Sequence, residues 1–181
     1  AVGKGLVGAA IEGPSKTDLG TAAFFPTNFK AGSPITLTSV PVGSLPDMIT
    51  FTPDGKTALV ANEGEPNDAY TVDPEGSVSI IDLKHGLRHL SSRSVKTIGF
   101  TDFNVGGPRA DELPDDVRIF GPGASVAQDI EPEYIALDEQ GRNAYVTLQE
   151  NNAVAVIDIQ RARVSRILAL GFKDHSKCGQ G

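Results

Sequence analysis

Residues 46–63, PDMITFTPDGKTALVANE, and residues 132–149, PEYIALDEQGRNAYVTLQ, write the same pattern twice, 86 positions apart. In each copy an apolar run ends at a Gly-containing turn and a second apolar run returns. Pro53-Asp54-Gly55-Lys56 makes the first reversal, because Pro presets φ and Gly accepts the positive φ of a tight turn. Asp138-Glu139-Gln140-Gly141-Arg142 makes the second. Each pair is followed by a third run ending in Asp and an apolar residue, GSVSIIDL over 76–83 and NAVAVIDI over 152–159. Almost continuously apolar and β-branched, these third runs suit strands covered on both faces. A strand–turn–strand–strand unit repeated along a chain predicts an all-β fold of stacked antiparallel sheets, the blades of a β-propeller.

Working outward, a fainter copy lies upstream. Leu6 to Glu12 and Gly20 to Phe25 resemble the middle and third strands, with Ile35 to Val42 as an outer strand. Ser94 to Phe100 and Arg163 to Leu170 supply outer strands for the two clear units. The Gly/Pro/Asp-rich stretch between those units reads as a loop excursion on one face. The chain therefore divides into a partial blade (1–42), a blade (43–100), an inserted loop (101–129), a blade (130–171) and a tail (172–181). Propellers use about four to eight blades, so about three cannot close a ring. The expected partners are remaining blades from the same parent protein, and a chain that opens at Ala1 with Met48 as its only Met is expected to be a fragment.

Charge narrows the partners. With 16 Lys+Arg against 23 Asp+Glu the net charge is −7, which repels nucleic acid and anionic membrane surfaces and favours metal cations. No apolar run approaches the ~18 residues of a membrane span, and Leu6 to Ile11 is too short for a signal-peptide core. The single Cys178 excludes an internal disulfide framework, and no Asn-x-Ser/Thr sequon occurs.

Carboxylates recurring at one place in the repeat are the best candidates for chemistry. Glu12 and Glu63 follow the second strands of their units, and Gln149-Glu150 falls there in the last. The first full unit then carries ten extra residues, since the offset drops from 86 to 76, and these bring Glu65, Asn67, Asp68, Asp73 and Glu75. A second acidic group, Asp129, Glu131 and Glu133, leads into the first strand of the last unit, which in a propeller lines the central channel. Hard cations take several oxygen ligands, so Glu63, Glu65, Asp68, Asp129, Glu131 and Glu133 are the expected Ca²⁺ ligands. The opposing reading makes them solvated loop acids that maintain solubility. No EF-hand spacing is present.

Other motifs carry less. Gly3-Lys4-Gly5-Leu6-Val7-Gly8 fits G-x-G-x-x-G, but a strand follows it where a dinucleotide loop needs a helix. Ser125 lacks the G-x-S-x-G elbow and reads as a turn residue. His85 and His89 flank Gly86 in a loop after a strand, and Arg109 sits among Asp111, Glu112, Asp115 and Asp116, which predicts a local ion pair.

The strings LPDMITFTPDGKTALVANEGEPNDAYTVDPEGSVSIIDL, VRIFGPGASVAQDIEPEYIAL and AYVTLQENNAVAVIDI resemble the choice-of-anchor I family of secreted or cell-surface bacterial propeller proteins, over nearly the whole chain. Relatives in that family include proteins labelled mesenchyme-specific cell surface glycoprotein and others labelled alkaline phosphatase or phytase-like. The resemblance implies a longer protein of about seven blades, located outside the cytoplasm, whether extracellular, on the cell surface or periplasmic. The ending GFKDHSKCGQG departs from the family pattern, so His175 and Cys178 take no role from it. Two functions are expected: a calcium-binding scaffold or binding module and, as the alternative, a metal-dependent phosphoester hydrolase of the phosphatase or phytase type. No nucleophile or general base is identified by spacing.

Overall fold

The computed structural model describes residues 1–28, 32 and 36–172. Among them, twelve strands form three four-stranded antiparallel sheets, each in up-and-down order. The first holds β1 (Val2–Gly3), β2 (Leu6–Ile11), β3 (Leu19–Pro26) and β4 (Thr38–Ser44). The second holds β5 (Pro46–Phe51), β6 (Thr57–Asn62), β7 (Ser77–Asp82) and β8 (Val95–Ile98). The third holds β9 (Pro132–Leu137), β10 (Asn143–Leu148), β11 (Ala153–Asp158) and β12 (Arg163–Ala169). The fold is all-β, built of propeller-type blades.

The written repeat is a structural repeat. Ile49 pairs with Val60 and Phe51 with Ala58, while Ile135 pairs with Val146 and Leu137 with Ala144. Both hairpins also shift register at the same place, where Pro46 meets Asn62 and Pro132 meets Leu148. The upstream unit, expected as a partial blade, carries four strands and ends at Ser44. Its first strand is only two residues long, because Lys4 and Gly5, both at positive φ, reverse the chain at once. That hairpin accounts for the apparent G-x-G-x-x-G motif. Ile35 and residues 173–181, with His175 and Cys178, lie outside the described residues.

Period-two alternation places each strand's side chains on two faces, and the second sheet buries both. Ile49, Ala58, Val60 and Ile81 meet Ala22, Phe24, Val40 and Val42 of the first sheet. Leu59, Ala61, Val78 and Ile80 meet Ile135, Ala144, Val146 and Ile157 of the third. Complete coverage of the third-strand run therefore holds for β7. It does not hold for β11, where Val154 is half-buried and its cross-strand neighbours Thr147 and Leu168 are partly exposed or exposed. Among the described residues no sheet lies on that side.

The inserted segment is not a free excursion. Phe103, Val117, Val126 and Ala127 are buried in the core shared by the second and third sheets. Arg109 ties the segment to β12 through the carbonyls of Val164 (2.6 Å) and Ser165 (3.0 Å), while pairing with Glu112 at 2.7 Å and lying over the Phe103 ring. The expected local ion pair is present, with a structural use. Ser125 caps the one-turn helix α1 (Val126–Asp129), accepting from the Gln128 backbone.

At the junction of the two sheets Gly76 donates its N–H to Ala127 O at 3.0 Å, and a Cβ there would lie 1.8 Å from the Ile130 carbonyl oxygen. Only glycine allows so close a backbone approach. Gly76→Ala is expected to destabilise the chain by about 3 kcal/mol or to prevent folding, measured by urea unfolding, whereas Gly99→Ala, where a Cβ meets nothing within 4 Å, serves as the control.

Candidate functional site

Because the sheets repeat in register, the ends of β2, β6 and β10 fall at one end of the molecule, and each is followed by acids. Glu63 is held there by its backbone: its N–H donates to Leu45 O at 2.9 Å, and Gly64 donates to Ser44 O at 3.2 Å. Leu45 takes a positive φ of 48° where the chain steps from β4 into β5. Glu131 occupies the repeat-equivalent step into β9 and donates its N–H to Asn151 Oδ1 at 3.2 Å. Its carboxylate makes no hydrogen bond or ion pair among the described residues, although the residue is only 8% exposed.

This crowding is costly for negative charge. Burial first, then Asp47, Glu65, Glu133 and Glu12, push the Glu63 carboxyl up to about 7. Burial first, then Glu65, Glu150, Glu63 and Asp129, push Glu131 up to about 7. Glu133 is raised as well, by burial and then by Asp47, Glu150 and Glu65. Asp73 is raised by burial and by Asp129, and its Oδ1 is buried without a hydrogen-bond partner.

Below these groups lies a cavity of about 440 Å³ whose acidic lining comprises Glu65, Asp68, Asp73, Asp129, Glu131 and Glu150. Lys16, from the loop between β2 and β3, is the cation that reaches it, at 3.1 Å from Glu65 and 3.7 Å from Asp68. The hydrogen bond to Glu65 raises the Lys16 ammonium above its ordinary value.

The six expected ligands therefore separate into three roles. Glu63, Glu65, Glu131 and Glu133 share one electrostatic field at the strand ends. Asp68 is fully exposed, beside Lys16. Asp129 is buried at the cavity lining and each of its oxygens accepts a backbone N–H, from Phe120 at 2.7 Å and Gly121 at 2.6 Å, so it also shapes the loop. Among the described residues no three His, Cys, Asp or Glu side chains are grouped closely enough to form a metal shell by themselves.

Two residues of this region escaped the sequence reading. Asn151 is fully buried in the β10–β11 turn, donating to Arg118 O at 2.9 Å and Asp129 O at 2.7 Å and accepting from Glu131 N–H. It joins three segments around the cavity, yet an Asn in a turn looks ordinary. Lys16 gives no sequence signal because its partner lies 49 residues away.

Among known proteins, residues 1–179 match the Choice-of-anchor I domain. No curated protein matches. Among solved structures the chain is similar to a chain of Kuenenia stuttgartiensis hydrazine synthase, with 16% identity and a TM-score of 0.51, over 86% of this chain and 37% of that one. At that identity the likeness concerns fold alone.

The charge arrangement sets a pH dependence. A carboxyl raised from 4.5 to about 7 on folding makes the folded state bind the extra proton between those values. Stability contributed by these groups should fall as pH rises from about 4.5 through 7 and level off above, with Glu131→Gln reducing the slope and stabilising the chain at pH 8 by about 1–2 kcal/mol, as read by urea unfolding across pH. Asn151→Ala orphans the buried Asp129 carbonyl and the part-buried Arg118 carbonyl and should cost about 2–4 kcal/mol at every pH, a pH-independent loss in the same experiment.

Proposed function

The chain belongs to the choice-of-anchor I domain family, and on that premise we propose that it serves as a propeller-type binding module whose acidic cavity, lined by the β2–β3, β6–β7 and β10–β11 loops and the segment leading into β9, takes a divalent cation, Ca²⁺. Family membership implies a cell-surface or secreted protein, and among the described residues no helix is long and apolar enough to cross a membrane. A secreted setting also matches a hard, oxygen-seeking cation.

The single observation that carries the reading is Glu131, a buried carboxylate that has no cationic partner among the described residues and lines the cavity beside Glu65 and within the field of Glu63. A buried charge needs pairing or it neutralises. A divalent cation would relieve the mutual repulsion of these acids, with Glu131 and Glu65 as carboxylate ligands and carbonyls or water completing the shell. Lys16 already performs part of this service for Glu65, so cation entry would compete with its ion pair.

The surface of the third sheet extends the picture. Tyr145, Thr147 and Val154 are the repeat equivalents of Leu59, Ala61 and Val78, which the neighbouring sheet covers, supporting a further blade of the parent protein against this face. The hydrolase reading has no observation in its favour: Ser125 caps a helix and Asp129 is committed to backbone N–H groups. Binding by a scaffolded loop cluster remains the use these groups support.

Calcium titration followed by calorimetry and thermal unfolding tests the proposal. Saturable binding with a rise in Tm, abolished in Glu131→Gln and weakened about tenfold in Glu65→Gln, is the expected result. Absence of calcium binding at millimolar concentration and pH 8, or equal binding by Glu131→Gln, would overturn it.

A further inference from the structure

The opposite ends of the strands carry a second cavity, of about 550 Å³, lined by Lys84, His85, His89, Arg93, Lys96 and Arg142. They come from three places in the fold: the β7–β8 connection, β8 itself and the β9–β10 turn. Asp82 is the one acid in the lining. In a chain of net charge −7 so local an excess of cations is contrary to the overall balance.

Glu139 of the β9–β10 turn is exposed and lies outside the lining of the cavity, while the Asp residues of this end are already engaged. Asp54 accepts from Thr52 Oγ1 at 2.7 Å and Lys56 N–H at 3.0 Å, and Asp82 accepts from Lys84 N–H at 2.9 Å. Asp138 accepts from Arg142 N–H at 2.7 Å and from Asn143, and Asp158 accepts from the Arg161 backbone and guanidinium. Each closes a turn. Lys84 retains a loose pair with Asp82 at 3.8 Å, whereas Arg93, Lys96 and Arg142 form no ion pair among the described residues.

Distance keeps the two ends electrically separate. A six-residue strand spans roughly 17–20 Å, about twice the Debye length of ~8 Å at physiological ionic strength, so the acidic cluster beyond Asn62 does not neutralise the basic cavity beside Thr57. The placement of Arg142 depends on Gly141, whose positive φ of 63° and close approach to Pro53, where a Cβ would lie 2.9 Å from the ring, set the β9–β10 turn against the β5–β6 turn. Ile80 and Ile159 add an apolar portion to the lining.

We propose that this cavity binds a compact ligand bearing two or more tetrahedral oxyanion groups. Guanidinium groups offer paired donors to such oxygens, the lysines supply point charges, and the imidazoles supply further N–H donors. Cations distributed around the cavity match several anionic groups better than one, and the half-buried Ile159 offers an apolar contact to the carbon skeleton that carries them. Phosphate and sulfate esters share this chemistry.

The test is calorimetric titration of the full chain at low ionic strength with two probes, inorganic pyrophosphate and a disulfated disaccharide. Saturable binding that weakens roughly tenfold in Arg142→Gln and in the Arg93→Gln/Lys96→Gln double variant, but is unchanged in Arg166→Gln on the exposed surface of β12, supports the site. Tighter pyrophosphate assigns it to phosphate esters and tighter disaccharide to sulfate esters. Lack of saturation by either probe, or an equal loss in Arg166→Gln, overturns the proposal. These variants replace exposed side chains, and adding chelator separates the result from the calcium site, since anion binding here is expected to survive it.

Discussion

Burial of the second sheet from both sides is the constraint on which the rest depends. Leu59, Val60, Val78 and Ile81 are completely enclosed, and each such side chain contributes about 1.5–3 kcal/mol when removed from water. Strands of this kind cannot be stable as an isolated sheet with one face wet. They require neighbours on both sides, and the period of two along each strand decides which residues meet which neighbour. The backbone approach at Gly76 then fixes how closely the third sheet settles on the second.

From this packing follows the arrangement of charge. Sheets stacked in register bring equivalent strand ends to the same level, so the acids around Glu63 and those around Glu131, far apart in the chain, converge there. Burial, and after it this convergence, raises the carboxyls of Glu63 and Glu131 to about 7 and creates a demand for positive charge that Lys16 meets only for Glu65 and Asp68. At the other end the recurrent Asp residues are used to close turns, and Arg93, Lys96 and Arg142 have no ion-pair partner among the described residues. One strand length therefore separates two chemically opposite cavities. The same repeat produces both, because it places different residue types before and after each strand.

Much of the architecture was legible before any coordinates. The doubled pattern at 46 and 132 specified strand, turn and strand, and the Gly55 and Gly141 turns lie where expected. The burial of the inserted loop was not legible, because its apolar residues, Phe103, Val117, Val126 and Ala127, are scattered among Gly, Pro and Asp and display no period. Their burial becomes visible only once a groove between two sheets exists to receive them. Within the acidic set, Asp129 and Glu131 look alike in sequence and differ in use, one carboxylate binding backbone N–H groups and the other having no hydrogen-bond or ion-pair partner among the described residues. Asn151 and Lys16 act across long separations, where local spacing carries no information.

By itself, then, the sequence determined the all-β repeat, the strand boundaries to within a few residues, the acidic character of the chain and the recurrence of carboxylates after the second strands. Those properties depend on local backbone preference and on periodicity, which neighbouring residues encode. Only the tertiary structure decided which carboxylates share a field, which are consumed in holding loops, and where unpaired cations gather. Charge interactions depend on distance and on exclusion of water, and both are properties of packed sheets rather than of the order of residues along the chain.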